Sequence, residues 1–463
     1  MKILLVAYDN DSPISYFPLG LAYIASACRN AGHEVVIYNQ DVYHWPEEHL
    51  TDQLDNERFD VVGIGVIGGY YQYRKLLKIS EAINKSKQRP FYVMGGHGPS
   101  PEPEYFLQKT GANAVVVGEG EETVADLLDA VSKDGDLSRV KGIAYIDESG
   151  KFRQTERREL ISDLDGIPLP AWDLFPIEHY VLFAPYSIQK KGRSMIMVSG
   201  RGCNFKCNFC YRMDKGLRIR GPKSIIVEIR ELQNRYFISN IAFFDELLMN
   251  SVGRVTELCK GLLDADLNIT WGCSGRLNYA KPEVLRLMRQ SGCTFINYGI
   301  ESIDDTALRV MGKALTVKQI TEGVENTLAA GISPGLNIIF GNIGETAEIL
   351  QKGVEFLLKY DDHAQLRTIR PVTPYPGSPL YYYAIQKGLL DGPGDFYERR
   401  HVNSDLLSVN FTNMSDKEVH ELLFEANKTL INKYYSDQKK RVIETAHRLY
   451  IDGDASFRGF RQV

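Results

Sequence analysis

The chain has 463 residues, 44% hydrophobic and 24% charged, enough for two or three globular domains with sizeable cores. A net charge of −5 gives no overall pull towards nucleic acid, and no apolar run reaches bilayer length. Seven cysteines, an odd number, do not make a disulfide framework. They point to a reducing, cytoplasmic setting, where clustered thiols mean metal or redox chemistry.

The first part alternates strands with helices. "KILLVAY" (2–8) reads as a strand rather than a signal peptide, because no small-residue cleavage site follows. "PLGLAYIASACRNAG" (18–32) reads as a helix closed by Gly32. Strands follow at 34–39, 60–66, 91–96 and 114–120, with helical segments between. Continuous apolar strands in this alternation predict a doubly wound parallel sheet of Rossmann or flavodoxin-like type. Ligands of such sheets sit beyond the carboxyl ends of the strands. Three glycine-rich turns fall there: "IGGYY" (67–71), "GGHGPS" (95–100) and "GEGEET" (118–123). Their candidate ligand contacts are Gly68, Gly69, Gly95, Gly96, His97, Ser100, Gly118, Glu119 and Gly120. A hairpin is expected over 142–156, then a Pro-rich crossing at 163–176.

A second series of strands begins at "SMIMVSG" (194–200) and continues at 241–246, 269–276, 295–302, 334–341 and 364–372. Six strands, against eight in a full (β/α) barrel, predict a partial barrel open on one side. The resulting domains are 1–160, a linker at 161–190, a barrel at 191–390 and a mainly helical region at 391–463. That last region is expected to help close the barrel. It includes a helix over 415–435 with a capping box of Ser415 and Glu418.

"SGRGCNFKCNFCYR" (199–212) carries Cys203, Cys207 and Cys210 just after the first barrel strand, at the face where barrel chemistry belongs. Thiolates suit iron–sulfur clusters and zinc. A zinc site needs a fourth ligand, and Asp214 is the nearest candidate. Three thiolates with one vacancy make a site built to bind something else at the metal. Cys259, Cys273 and Cys293 read as core residues. Arg201, Lys206, Arg212, Lys215, Arg218 and Arg220 crowd the same loop, either as a docking patch for an acidic electron donor or as a solvated surface. Arg367 and Arg370 at the sixth strand are candidates for an anionic substrate group, and Tyr381, Tyr382 and Tyr383 for packing of the C-terminal helices.

The cysteine spacing, with Phe209 before the last, resembles the signature of radical S-adenosylmethionine enzymes. The resemblance implies that Cys203, Cys207 and Cys210 hold three irons of a [4Fe–4S] cluster while S-adenosylmethionine chelates the fourth. Reductive cleavage then yields a 5′-deoxyadenosyl radical. "FFDELL" (243–248) resembles the second-strand motif, placing Asp245 and Glu246 near the methionine amino group. "GCSGR" (272–276) implies Ser274 and Arg276 on the carboxylate or ribose. "YGIES" (298–302) implies Glu301 and Ser302 facing the cosubstrate. "FGNIGET" (340–346) resembles a "GLPGET" turn, with Ile343 where Pro is usual.

The N-terminal part resembles the cobalamin-binding domain joined to many such enzymes, and the likeness runs over roughly residues 1–390. The D-x-H-x-x-G sequence that supplies an axial histidine is absent. The loop reads "YDNDSPISYFPLG" (8–20), and His44 and His97 read as loop histidines. The lower cobalt face is therefore expected to lack a protein histidine. The implied reaction is methyl transfer to an unactivated carbon or phosphorus, with radical oxidation or cyclisation as the alternative. A corrinoid- or cluster-binding sensor or carrier without turnover is the alternative of another class. A flavodoxin- or ferredoxin-like electron donor is implied.

Overall fold

A computed structural model describes residues 1–11, 16–133, 135–181, 192–213 and 215–456. Asp214 and parts of the 8–20 loop and of the 161–190 segment lie outside these described residues.

The N-terminal sheet comprises β1 (Lys2–Ala7), β2 (Glu34–Asn39), β3 (Val61–Gly65), β4 (Phe91–Gly95), β5 (Ala114–Val116), β6 (Ile143–Ile146) and β7 (Phe152–Gln154). Their order is β2-β1-β3-β4-β5-β6-β7. The first five are parallel, in the flavodoxin-like order with a switch point between β1 and β3. The expected hairpin, β6–β7, extends the sheet antiparallel. β1 and β3 are buried because both faces are covered. The helix Leu19–Asn30 turns Leu21, Ala22, Ala25 and Cys28 onto one face.

The second region contains β8 (Ser194–Met197), β9 (Gly200–Cys203), β10 (Gly216–Ile219), β11 (Asn240–Phe243), β12 (Thr270–Gly275), β13 (Cys293–Glu301), β14 (Ser333–Phe340) and β15 (Ile369–Pro371). Six of these form one parallel sheet, β8-β11-β12-β13-β14-β15, which is the partial barrel in sequence order. β9 and β10 form a separate antiparallel hairpin above it.

The Pro-rich crossing is a packed strap. Ala171, Trp172 and Phe175 are buried, Trp172 lies 4.7 Å from the Phe17 ring, and the Ala171 N–H donates to the Ala22 carbonyl. Its apolar side chains join the core of the N-terminal sheet to that of the barrel.

The C-terminal segment does two things. Leu380, Tyr381, Phe396, Tyr397, Val409 and Phe411 pack into the core on the other face of the N-terminal sheet, with Val6, Ile64, Tyr73 and Met94. The helix Asp416–Tyr450 then lies on the barrel's last strand, with Ser415 and Glu418 forming the expected capping box. β15 would otherwise expose an unpaired edge. Asn427 covers it: its Oδ1 accepts from the Ile369 N–H (2.8 Å) and its Nδ2 donates to the Ile369 carbonyl (2.9 Å). No helix among the described residues is long and apolar enough to cross a membrane.

Candidate functional site

The β9–β10 hairpin carries the first thiol. Cys203 ends β9 and pairs with Gly216. Gly202 has φ +84°, and a Cβ there would lie 2.3 Å from the Gly216 carbonyl oxygen, so the hairpin closes only with glycine. Cys207 and Cys210 follow on a loop held by Asn208. Its N–H donates to the Met311 carbonyl (2.8 Å), its carbonyl accepts from Leu380 (2.8 Å), and its side-chain amide bonds to that of Asn342. Cys207 is buried, Cys203 half-buried and Cys210 exposed. Burial pushes the Cys207 thiol up, while Lys313 and Arg276 pull it down.

The barrel supplies the polar surroundings. The Arg276 guanidinium, at the end of β12, lies 3.4 Å from the Phe205 ring centroid and donates to the carbonyls of Lys313 and Ala314. Lys313 Nζ donates to Glu301 Oε1 at 2.8 Å and sits 5.9 Å from the Phe209 ring. Glu301 has φ +69°, next to a register shift in β13 after Gly299. Such bulges re-aim side chains beside functional sites. Exposed Glu246 accepts the Gly202 N–H at 3.0 Å. Half-buried Ser274 lies near the end of β12. Ser302 is buried beside Glu345, whose carboxyl burial pushes up to about 8.

Asp245 is turned elsewhere. It is buried, accepts from the N–H (2.6 Å) and hydroxyl of Ser199, and pairs with Arg254 at 3.2 Å. Its carboxylate therefore fixes the bend between β8 and β9. Lys313, Glu345, Phe205 and the Ser199–Arg254 pair escaped sequence reasoning. Glu345 alone had a signal, its place in the "GNIGET" turn.

On the facing side, the glycine turns sit at the ends of β3, β4 and β5. Gly96 has φ +101°, and a Cβ there would lie 2.6 Å from the Val66 carbonyl oxygen, so the turns after β3 and β4 touch backbone to backbone. Ser100 Oγ donates to the Gly96 carbonyl (2.7 Å) and accepts from the Gly118 N–H (3.4 Å), tying the second turn to the third. Gly69 precedes the helix Tyr70–Lys85. Gly95 packs against Val116, and Gly120 against Ile24. Gly68 faces Tyr397 and Tyr375 from the C-terminal segment. His97 is exposed and edge-on to Tyr211, ring centroids 6.0 Å apart, one residue beyond Cys210. His44 sits elsewhere, with Nδ1 paired to the Asp9 carboxylate at the end of β1.

Glu119 bridges the two halves. Its carboxylate accepts from Arg201 (2.8 Å), Arg218 (2.7 Å) and the Ile161 N–H (2.9 Å). Burial alone would raise its pKa, but Arg218 and Arg201 more than offset this and hold it below the ordinary range. Arg201 also pairs with Glu121, and Arg220 with buried Glu228. Three of the six basic residues around the cysteines are thus spent on internal pairs, while Lys206 and Lys215 are exposed.

Two further expectations change. Arg367 precedes β15 at the end away from the cysteines, buried and paired with Asp361 and Asp362. Arg370 is exposed and pairs with Asp405 at 3.0 Å. Tyr381 is buried, as packing requires, while Tyr382 is half exposed.

The donor set discriminates between metals. Among the described residues only Asp361, His363 and Asp437 bring three His, Cys, Asp or Glu ligand atoms within 4.8 Å of one another. The three thiols do not, so they are not gathered for a single four-coordinate ion. Cys203 at the end of β9 and Cys207 and Cys210 on the loop after it stand beside Arg276 and Lys313, an arrangement that fits a larger cluster with an open side.

Comparisons with known proteins run the same way. The B12 binding domain model matches residues 10–128, and the Radical SAM superfamily model matches 197–357. An uncharacterised methyltransferase of Pyrococcus horikoshii is 33% identical over 406 residues, 84% of this chain and 84% of that one. The anaerobic magnesium-protoporphyrin IX monomethyl ester cyclase of Rubrivivax gelatinosus is 27% identical over 79% of this chain and 65% of its own. Among solved structures, the radical S-adenosylmethionine methyltransferase TsrM of Kitasatospora setae, with cobalamin and a [4Fe–4S] cluster bound, has a TM-score of 0.70 at 19% identity, covering 85% of this chain and 79% of its own. At that identity the likeness is one of fold.

Proposed function

Because the chain belongs to the radical S-adenosylmethionine enzymes that carry a B12-binding domain, we propose that it methylates an unactivated carbon or phosphorus of its substrate. The observation that carries this reading is the facing of two built surfaces. The cysteine loop, with Arg276 and the Lys313–Glu301 pair, lies across from the glycine turns of the N-terminal sheet, and His97 meets Tyr211 between them. Cys203, Cys207 and Cys210 hold the cluster. Arg276 and Lys313 offset thiolate charge. Glu246, Ser274, Glu301 and Ser302 orient S-adenosylmethionine. Gly96 lets the turns after β3 and β4 close on each other and Gly68 sits under Tyr375 and Tyr397, while Gly118 has open space beside it where a flat macrocycle would approach the backbone. When bound, the cluster, S-adenosylmethionine and cobalamin supply the electron, the radical initiator and the methyl carrier.

Asp245 acts as a positioning residue and Glu119 as a brace between the halves. A bound cobalamin would find His44 engaged by Asp9 and His97 against Tyr211, so neither histidine would hold its cobalt. The setting is cytoplasmic, in keeping with seven free cysteines. A flavodoxin- or ferredoxin-like donor approaches past exposed Lys206 and Lys215. Oxidation or cyclisation is the second reading, supported by the 27% likeness to a cyclase.

The test is anaerobic reconstitution with iron, sulfide and cobalamin, followed by reductant and S-adenosylmethionine bearing a labelled methyl group. 5′-Deoxyadenosine together with S-adenosylhomocysteine, both lost in Cys207→Ala, is the expected result. 5′-Deoxyadenosine alone selects the second reading. Neither product, despite a full cluster, overturns both.

A further inference from the structure

The terminal helix has two apolar faces, and the barrel covers only one. Val419, Leu423, Ala426 and Leu430 are buried, and no later residue of the helix is. At 100° per residue, Phe424, Ile431, Tyr435, Val442, Ala446 and Leu449 fall within about 60° of arc, centred about 135° from the buried face. Phe424 is 64% exposed, Tyr435 59% and Val442 41%. Its spacings of 7, 4, 7, 4 and 3 residues fit the period of a coiled-coil seam, with Lys428, which lies over the Phe424 ring, and Gln438 at the two places between. Exposed apolar stripes of this length in a soluble chain mark contact surfaces.

Charge along the helix says what covers it. From Asp416 to Asn432 there are four acidic residues against two basic ones. From Lys433 to Tyr450 there are five basic against two acidic. A helix acidic at one end and basic at the other complements itself only when a second copy runs the opposite way. A parallel pair would set acid on acid and base on base.

We infer that this chain forms a two-fold dimer through antiparallel pairing of the Asp416–Tyr450 helices along this stripe. The seam places Phe424 opposite the partner's Val442 and Ile431 opposite the partner's Tyr435. Glu425 then lies beside the partner's Lys439. The contact from Phe424 to Val442 is about 27 Å long at 1.5 Å per residue.

Sedimentation velocity on the full chain, under reductant and from 1 to 100 µM, tests it. The expected result is a concentration-dependent dimer that Tyr435→Glu and Val442→Glu each weaken at least tenfold. Both sites are exposed, so far-ultraviolet circular dichroism stays unchanged. Glu425→Lys or Lys439→Glu alone weakens the dimer severalfold, and the two together restore it. A monomer at 100 µM overturns the inference. So does a dimer that survives Tyr435→Glu, or one that the paired charge reversal fails to restore.

Discussion

Replacing Glu119 by alanine removes the carboxylate that ties the cluster hairpin to the N-terminal sheet. The Glu119 side chain is 5% exposed, that of Arg218 15% and that of Arg201 20%. Orphaning one partner of a buried ion pair costs about 3–5 kcal/mol. The lower end applies here, because Arg201 keeps Glu121 and Arg218 keeps the Ile161 carbonyl at 2.7 Å. A cost of about 3 kcal/mol is roughly a hundredfold in an opening equilibrium. It falls on β9 and β10, which carry Arg201, Cys203 and Arg218. Amide hydrogen exchange there, read by mass spectrometry, is therefore expected to accelerate about a hundredfold. β12 to β14, remote from the bridge, stay as they are. Glu119→Gln keeps the shape and an acceptor for the Ile161 N–H, and gives a smaller acceleration. If β9 and β10 exchange within threefold of the parent, the bridge does not hold the hairpin and its distances carry no such weight.

Two predictions concern titration and the cobalt face. Burial raises Glu345 from 4.5 to about 8, so between these values only the unfolded chain ionises it. Stability is then full below about pH 4.5, falls as pH rises, and levels off above about 8. Glu345→Gln should flatten that fall in the thermal midpoint, and an unaltered slope would clear Glu345 of responsibility. With cobalamin bound and reduced to Co(II), electron paramagnetic resonance should lack nitrogen splitting from a protein histidine. Splitting that disappears in His44→Ala or His97→Ala would reverse the assignment.

Much of the fold was legible because buried parallel strands are written as short apolar runs. Five of the six barrel strands overlap the stretches that "SMIMVSG", "IAFFDE", "YGIES" and two others mark, and the sixth is shorter than its stretch. The β9–β10 hairpin was not, since "GRGC" and "GLRI" are short, glycine-bearing and far apart in sequence, and only Cys203 marked the place. The terminal helix runs past 435 because polar "SDQKKR" (436–441) hides its period without breaking it. Motif position told which residues stand near strand ends but not which way they point. Asp245 and Glu246 are neighbours, yet one is buried on Ser199 and the other lies open beside Gly202. Arg367 was misplaced because the last strand spans only Ile369–Pro371, which leaves that arginine at its opposite end.

The chain leaves its N-terminal sheet, builds the barrel, and then returns to finish what it began. The helices that carry Leu50, Leu76 and Phe106 already cover one face of that sheet, but its core is completed only when Leu380 to Phe411 have been made. On the ribosome, the first third of the protein therefore waits for the last fifth to complete its core, and the apolar side chains left open meanwhile are a burden for holding factors. The same threading sets the rules for grafting. A cobalamin module cut from this chain at its apparent end lacks the part of its core that Leu380 to Phe411 supply, and a transplant that is to stand alone must bring the returning segment with it.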